Sequence, residues 1–161
     1  MRGSFDMWRS RWLPWLASLL LSLTACQSAG LAVTDAYLVS VEAHSGTNHS
    51  QHSGSVSNTP AAAYFVVQNN AAQADRLLRV STAIAQTAEL HATTIENNVA
   101  RMGLAPAIEV PANGSIEFKP GGYHVMLLNL TRPLTVGEKV TLTLSFEKAG
   151  EIAVQAEVRR P

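Results

Sequence analysis

The sequence is poor in cysteine. Cys26 is the only one among 161 residues, so no disulfide can close within one chain and no thiolate cluster can hold zinc or an iron–sulfur centre. Charge is scarce as well. Asp, Glu, Lys and Arg make up 15% of the chain, with 12 basic residues against 12 acidic ones. That composition excludes a long acidic or basic tail and leaves no basic footprint for nucleic acid. The 10 glycines and 7 prolines exclude a collagen-like repeat. Nor is there a nucleophile with a paired base, an acid pair at a readable site or a glycine loop for phosphate, so an enzyme is not expected. The 47% hydrophobic fraction is enough for the core of one domain.

The first 25 residues read as an export signal. Arg2, Arg9 and Arg11 form a positive start, and Leu13 to Leu23 (LPWLASLLLSL) is an apolar run of 11 residues. A membrane-spanning helix needs about 20, so a cleaved signal peptide is favoured. The run ends in Leu23-Thr24-Ala25-Cys26, which resembles the lipobox of bacterial lipoproteins. That resemblance implies cleavage before Cys26 and acylation of it, leaving residues 26–30 as a lipidated tether. The alternative is an ordinary cut after Ala25 or Ala29 and a secreted product. On either reading the mature domain lies outside the cytoplasm. Residues 1–25 hold three of the arginines and one aspartate, so the chain from Cys26 keeps 9 basic and 11 acidic residues. All three tryptophans, Trp8, Trp12 and Trp15, lie in the signal.

The remaining chain is patterned for strands. Leu31 to Val41 alternates in part, and Ala61 to Gln68 reads as a buried strand. Between them His44 to Pro60 is rich in Ser, Gly, Asn and His, a loop by composition. Short strands are expected at Asp75 to Ser81, Val99 to Met102, Ala107 to Val110, Ser115 to Phe118 and Tyr123 to Leu130, and Ala88 to Glu96 fits helix or strand, with its Thr-Thr-Ile run favouring strand. Asn97-Asn98 and Asn113-Gly114 are tight-turn signals. Val140, Leu142, Leu144 and Phe146 share one face of a strand over Glu138 to Glu147, as do Ile152, Val154, Ala156 and Val158 over Ile152 to Val158. Eight or nine short strands and no helix after the signal predict one antiparallel β-sandwich or barrel.

His124 and Met126 are two apart in a predicted strand, so both side chains point to one face about 6.5–7 Å apart and can reach one ion. His91 and Met102 bracket the Asn97-Asn98 turn, which can bring them together. Thioether sulfur is soft and neutral and selects an ion such as Cu(I). Imidazole adds a stronger donor when neutral. Zinc prefers cysteine, histidine or carboxylate, and calcium oxygen. A blue-copper centre needs a thiolate, which only Cys26 on the tether could supply. The plainer reading of the same residues is a methionine filling core space and histidines that are exposed or hydrogen-bonded.

The order His91, Met102, His124, Met126, with 10, 21 and 1 residues between successive members, resembles the H-x10-M-x21-H-x-M pattern of the periplasmic copper chaperones called PCu(A)C. The segments Ala88-Glu89-Leu90-His91, Lys119 to Leu127 (KPGGYHVML), Ala74 to Leu77 and Leu142 to Phe146 are similar to that family too. The resemblance spans residues 31–158. It implies a cupredoxin-like Greek-key β-sandwich, Cu(I) held by His91, Met102, His124 and Met126, and transfer to an acceptor, usually the CuA centre of cytochrome c oxidase. The expected location is the cell envelope or periplasm, with the membrane reached through a lipid anchor only. Two other functions fit the residues: a copper-buffering or resistance lipoprotein without a dedicated acceptor, and a β-sandwich surface module that binds no metal.

The loop over residues 44–60 departs from the family in being longer and richer in histidine. His44, His49 and His52 make either an auxiliary Cu(II) site or a solvated loop with incidental histidines. Gly121 and Gly122 are read as a turn that orients His124, and Tyr123 and Leu127 as packing residues. Asp75 and Arg76 are read as an ion pair or as support for the site.

Overall fold

The computed structural model describes residues 30–40, 59–97 and 99–161. Cys26 and the His44, His49 and His52 loop lie outside the described residues, as do residues 1–25, expected to be an export signal. Ten strands form: β1 (Leu31–Ser40), β2 (Ala61–Asn69), β3 (Asp75–Ser81), β4 (Ala85–Glu96), β5 (Val99–Leu104), β6 (Ile108–Val110), β7 (Gly114–Phe118), β8 (Tyr123–Leu130), β9 (Lys139–Phe146) and β10 (Gly150–Arg159). No helix occurs among the described residues. The all-β expectation holds, with ten strands among the described residues where eight or nine were expected.

Hydrogen-bonded pairing runs in the order β5-β4-β8-β7-β2-β1-β10-β9-β3-β6. β2 sits at the junction. Its first residues, Ala61 to Ala63, pair with β8, and its second half, Phe65 to Asn69, pairs with β7. The row folds back on itself, bringing β3 against β4 and β6 against β2 without pairing them. Most pairs are antiparallel, as expected. β1 and β10 run parallel, and β7 meets β8 in a parallel bridge between Phe118 and Tyr123.

The core follows from period-2 alternation. β9 buries Val140, Leu142, Leu144 and Phe146, with Val140 opposite Ala156 of β10 and Leu144 and Phe146 opposite Val80 and Leu77 of β3. β2 contributes Ala61, Ala63, Phe65 and Val67, and β8 contributes Val125 and Leu127. Phe65 and Phe118 are register partners with rings stacked 4.2 Å apart. Burying each large aliphatic or aromatic side chain stabilises by about 1.5–3 kcal/mol before chain entropy is counted.

Two departures from simple alternation have local causes. Asp35 adopts a left-handed conformation (φ 51°), and the β1–β2 register shifts between Thr34 and Tyr37. This bulge explains why Leu31 to Val41 alternates only in part. Asn113-Gly114 is a turn, with Asn113 at φ 49°, but it does not close a hairpin. β6 before it pairs with β3, and β7 after it pairs with β2. Asn97, at φ 51°, does close one, placing Glu96 opposite Val99.

Candidate metal centre

β4 and β8 are antiparallel neighbours whose register sets His91 directly opposite His124 and Glu89 directly opposite Met126. Period 2 sends Leu90, Val125 and Leu127 into the core, so His91, Glu89, His124 and Met126 project from the other face of the same sheet. The β4–β5 hairpin then carries Met102 to a position opposite Thr93. Thr93 shares a face with His91, so Met102 is a diagonal neighbour of His91, at a spacing of about 7–8 Å. Met126 is a diagonal neighbour of His91 from the other side. Two strand pairings thus bring the four sequence-predicted residues to one patch of one sheet face. The hairpin does not set Met102 opposite His91 itself; Leu104 takes that place.

The two imidazoles meet edge to face, with centroids 5.5 Å apart and planes at 61°. Each ring has one nitrogen engaged. His91 Nε2 lies 3.0 Å from Glu89 Oε2, and His124 Nδ1 lies 3.1 Å from the Gly122 carbonyl oxygen. The other nitrogens, His91 Nδ1 and His124 Nε2, are buried and have no hydrogen-bond partner. Buried polar atoms are almost always satisfied, and an orphan costs about 1–3 kcal/mol. Two orphaned ring nitrogens on facing histidines suit an electrophile between them, and an ion that takes imidazole and thioether suits the whole donor set. Among the described residues no three His, Cys, Asp or Glu side chains gather as a metal-binding group.

Burial is graded across the patch. His124 is 4% exposed and Met102 is 61% exposed. Met102 sits on β5, an outermost strand exposed along its whole length, on the same face as exposed Leu104 and Ile95.

The turn before β8 aims His124. Gly122 N–H donates to the Lys119 carbonyl (3.0 Å), and Lys119 N–H donates to the Tyr123 carbonyl (2.9 Å). Gly121 between them has φ +76°, which a side chain disfavours. The Gly122 carbonyl then accepts from both Thr93 N–H (3.1 Å) and the His124 ring. Leu127 packs in the core as expected. Tyr123 stays 37% exposed, with its ring 6.0 Å from Phe118.

Asp75 and Arg76 serve neither role expected of them. The Asp75 carboxylate accepts from the backbone N–H groups of Arg76 (2.7 Å), Lys148 (2.9 Å) and Ala149 (2.9 Å). It ties β3 to the β9–β10 turn, away from the histidines. Arg76 reaches Glu147 at 3.7 Å. Burial raises the Asp75 pKa, but the three N–H donors and the Lys148 ammonium outweigh it and hold the carboxyl below its ordinary value.

Glu89 was not among the residues expected at the site, although it is a partner of His91. The signal was present, since residues 89 and 91 of one strand share a face.

The fold is that of the PCuAC domains, as solved structures show. The copper-bound PCuAC domain of PmoF2 matches with a TM-score of 0.61 and 26% identity, over 82% of this chain and 94% of that one. Cu(I)-DR1885 of Deinococcus radiodurans matches with a TM-score of 0.58 and 29% identity, over 81% of this chain and 80% of that one. The family model named "Putative lipoprotein LpqE-like" matches residues 31–158, and the chain belongs to that family. A curated relative, "Putative lipoprotein Lxx21020" of Leifsonia xyli subsp. xyli (strain CTCB07), is 27% identical in an alignment 158 positions long that covers 89% of this chain and 86% of the relative.

Proposed function

We propose that the protein is a copper carrier of the cell envelope that holds Cu(I) with His91, Met102, His124 and Met126 and passes it to an acceptor. The observation that carries this reading is the pair of facing histidines, each with a buried ring nitrogen and no partner for it. Copper as cargo is supported by the PmoF2 and DR1885 likenesses. Cu(I) is supported by the donor types, because thioethers are soft, carry no proton to lose and form no disulfides in an oxidising compartment.

The graded burial suits delivery. Copper gripped by buried His124 is reached from the side of exposed Met102, where an incoming ligand can displace the thioether first. The acceptor we propose is the CuA centre of cytochrome c oxidase. Acylation at Cys26 would hold the carrier at the membrane, a reading supported by the family description and the relative's name. The His44, His49 and His52 loop is proposed as an auxiliary Cu(II) site. Replacing all three by Ala removes one Cu(II) equivalent if it is one, and leaves stoichiometry unchanged if it is not.

The deciding experiment is a Cu(I) competition titration of the detergent-solubilised protein against a coloured chelator, with Met102→Leu and His124→Ala alongside. One tight equivalent weakened by both substitutions supports the site. Absence of binding, or binding indifferent to both, rejects it. Loss of the bound ion to an apo CuA domain then tests the acceptor.

A further inference from the structure

The facing histidines are tied down through opposite nitrogens. A carboxylate only accepts hydrogen bonds, so the 3.0 Å contact with Glu89 Oε2 requires the proton of neutral His91 to sit on Nε2. A backbone carbonyl likewise only accepts, so the 3.1 Å contact with Gly122 requires the proton of neutral His124 to sit on Nδ1. The lone pairs then fall on His91 Nδ1 and His124 Nε2, the two buried nitrogens that have no partner. Glu89 stands opposite Met126 in the register and shares the sheet face with all four proposed ligands. Its carboxylate is spent on His91, so it backs a ligand instead of serving as one.

We propose that Glu89 is the positioning residue of this centre: it locks His91 in the Nε2–H tautomer so that Nδ1 faces the ion, while Gly122 locks His124 the opposite way. The proposal rests on the copper-site reading above. A charged partner behind a metal-binding imidazole fixes the ring and raises its basicity, and losing such a partner typically costs 10- to 100-fold in metal affinity. The Glu89 charge also offsets part of the charge of a cation held by four neutral ligands.

The test begins without metal. Long-range proton–nitrogen NMR of the 15N-labelled, detergent-solubilised apo protein reads each histidine's tautomer. The wild type is expected to show His91 as Nε2–H and His124 as Nδ1–H. Glu89→Leu is expected to mix or reverse the His91 tautomer while His124 and the backbone amide spectrum stay put, which also reports that the variant is folded. Wild-type His91 found as Nδ1–H, or a His91 tautomer unmoved by Glu89→Leu, overturns the proposal. In the second arm Glu89→Leu is expected to weaken Cu(I) by about 10- to 100-fold at unchanged stoichiometry, and an unchanged affinity overturns the positioning role. If the wild type binds no Cu(I), the copper reading fails, and the metal-free arm still decides whether Glu89 sets the tautomer of His91.

Discussion

His91 and His124 face each other across two neighbouring strands, and each ring is held by one nitrogen while the other is buried without a partner. A pair built this way is a cost to the empty protein and an asset to the loaded one. That asymmetry sets what substitutions at the site should do.

His124→Leu removes a buried unpartnered nitrogen and keeps a side chain of similar size. The Gly122 carbonyl retains its bond from Thr93 N–H. The metal-free variant should melt within about 1 kcal/mol of wild type, or above it. Cu(I) should raise the melting temperature of wild type, as a ligand of the folded state does, and should leave that of the variant unchanged. Thermal melts with and without Cu(I) check both halves.

Gly121→Ala meets no neighbouring atom, yet it places a side chain at φ +76°. The expected cost is about 1–2 kcal/mol, with Gly121→Asn costing less because Asn tolerates this conformation. Relaxation of the turn would move the Gly122 carbonyl that aims His124, so Cu(I) affinity should fall together with stability. Denaturant melts paired with copper titrations of the two variants measure the coupling.

Asp75→Asn separates fold from function. The carboxyl pKa is lowered in the folded chain. Its ionised form therefore contributes stability in full above the unfolded value of about 3.9, and the contribution disappears as pH falls through the lower folded value. Asn should cost about 1–3 kcal/mol at neutral pH and flatten the loss of stability on acidification. Copper affinity should not change, because the groups that Asp75 binds lie on β3 and the β9–β10 turn. Urea melts from pH 7 down to about pH 3 give the comparison.

Every tryptophan precedes Cys26. Protein recovered from the envelope should therefore emit only as tyrosine, from Tyr37, Tyr64 and Tyr123. Tryptophan emission in that fraction would show that the leading segment is retained.

The strands were legible where side chains repeat with period 2. Val140 to Phe146 and Ile152 to Val158 declare their buried face in the sequence. The Asn97 turn also told which strands it joins, because β4 and β5 are neighbours on both sides of it. Asn113 shows the limit: turn chemistry is local, whereas the partners of β6 and β7 are chosen by distant strands. The role of Asp75 was hidden for the same reason, since Lys148 and Ala149 lie 73 and 74 residues further along. At the candidate centre, the resemblance to the PCu(A)C pattern pointed to four residues, but that His91 stands opposite His124 depends on the β4–β8 register, which no local pattern encodes. Glu89 was within reach of sequence reasoning and required only that the two-residue step to His91 be followed along the strand.

The most direct test of the four-ligand centre is copper K-edge X-ray absorption on the Cu(I)-loaded protein, compared with Met102→Leu and Met126→Leu. A four-ligand centre gives a mixed shell of imidazole nitrogen and thioether sulfur that loses sulfur in each variant. A shell without sulfur, or one unchanged by both substitutions, would contradict it.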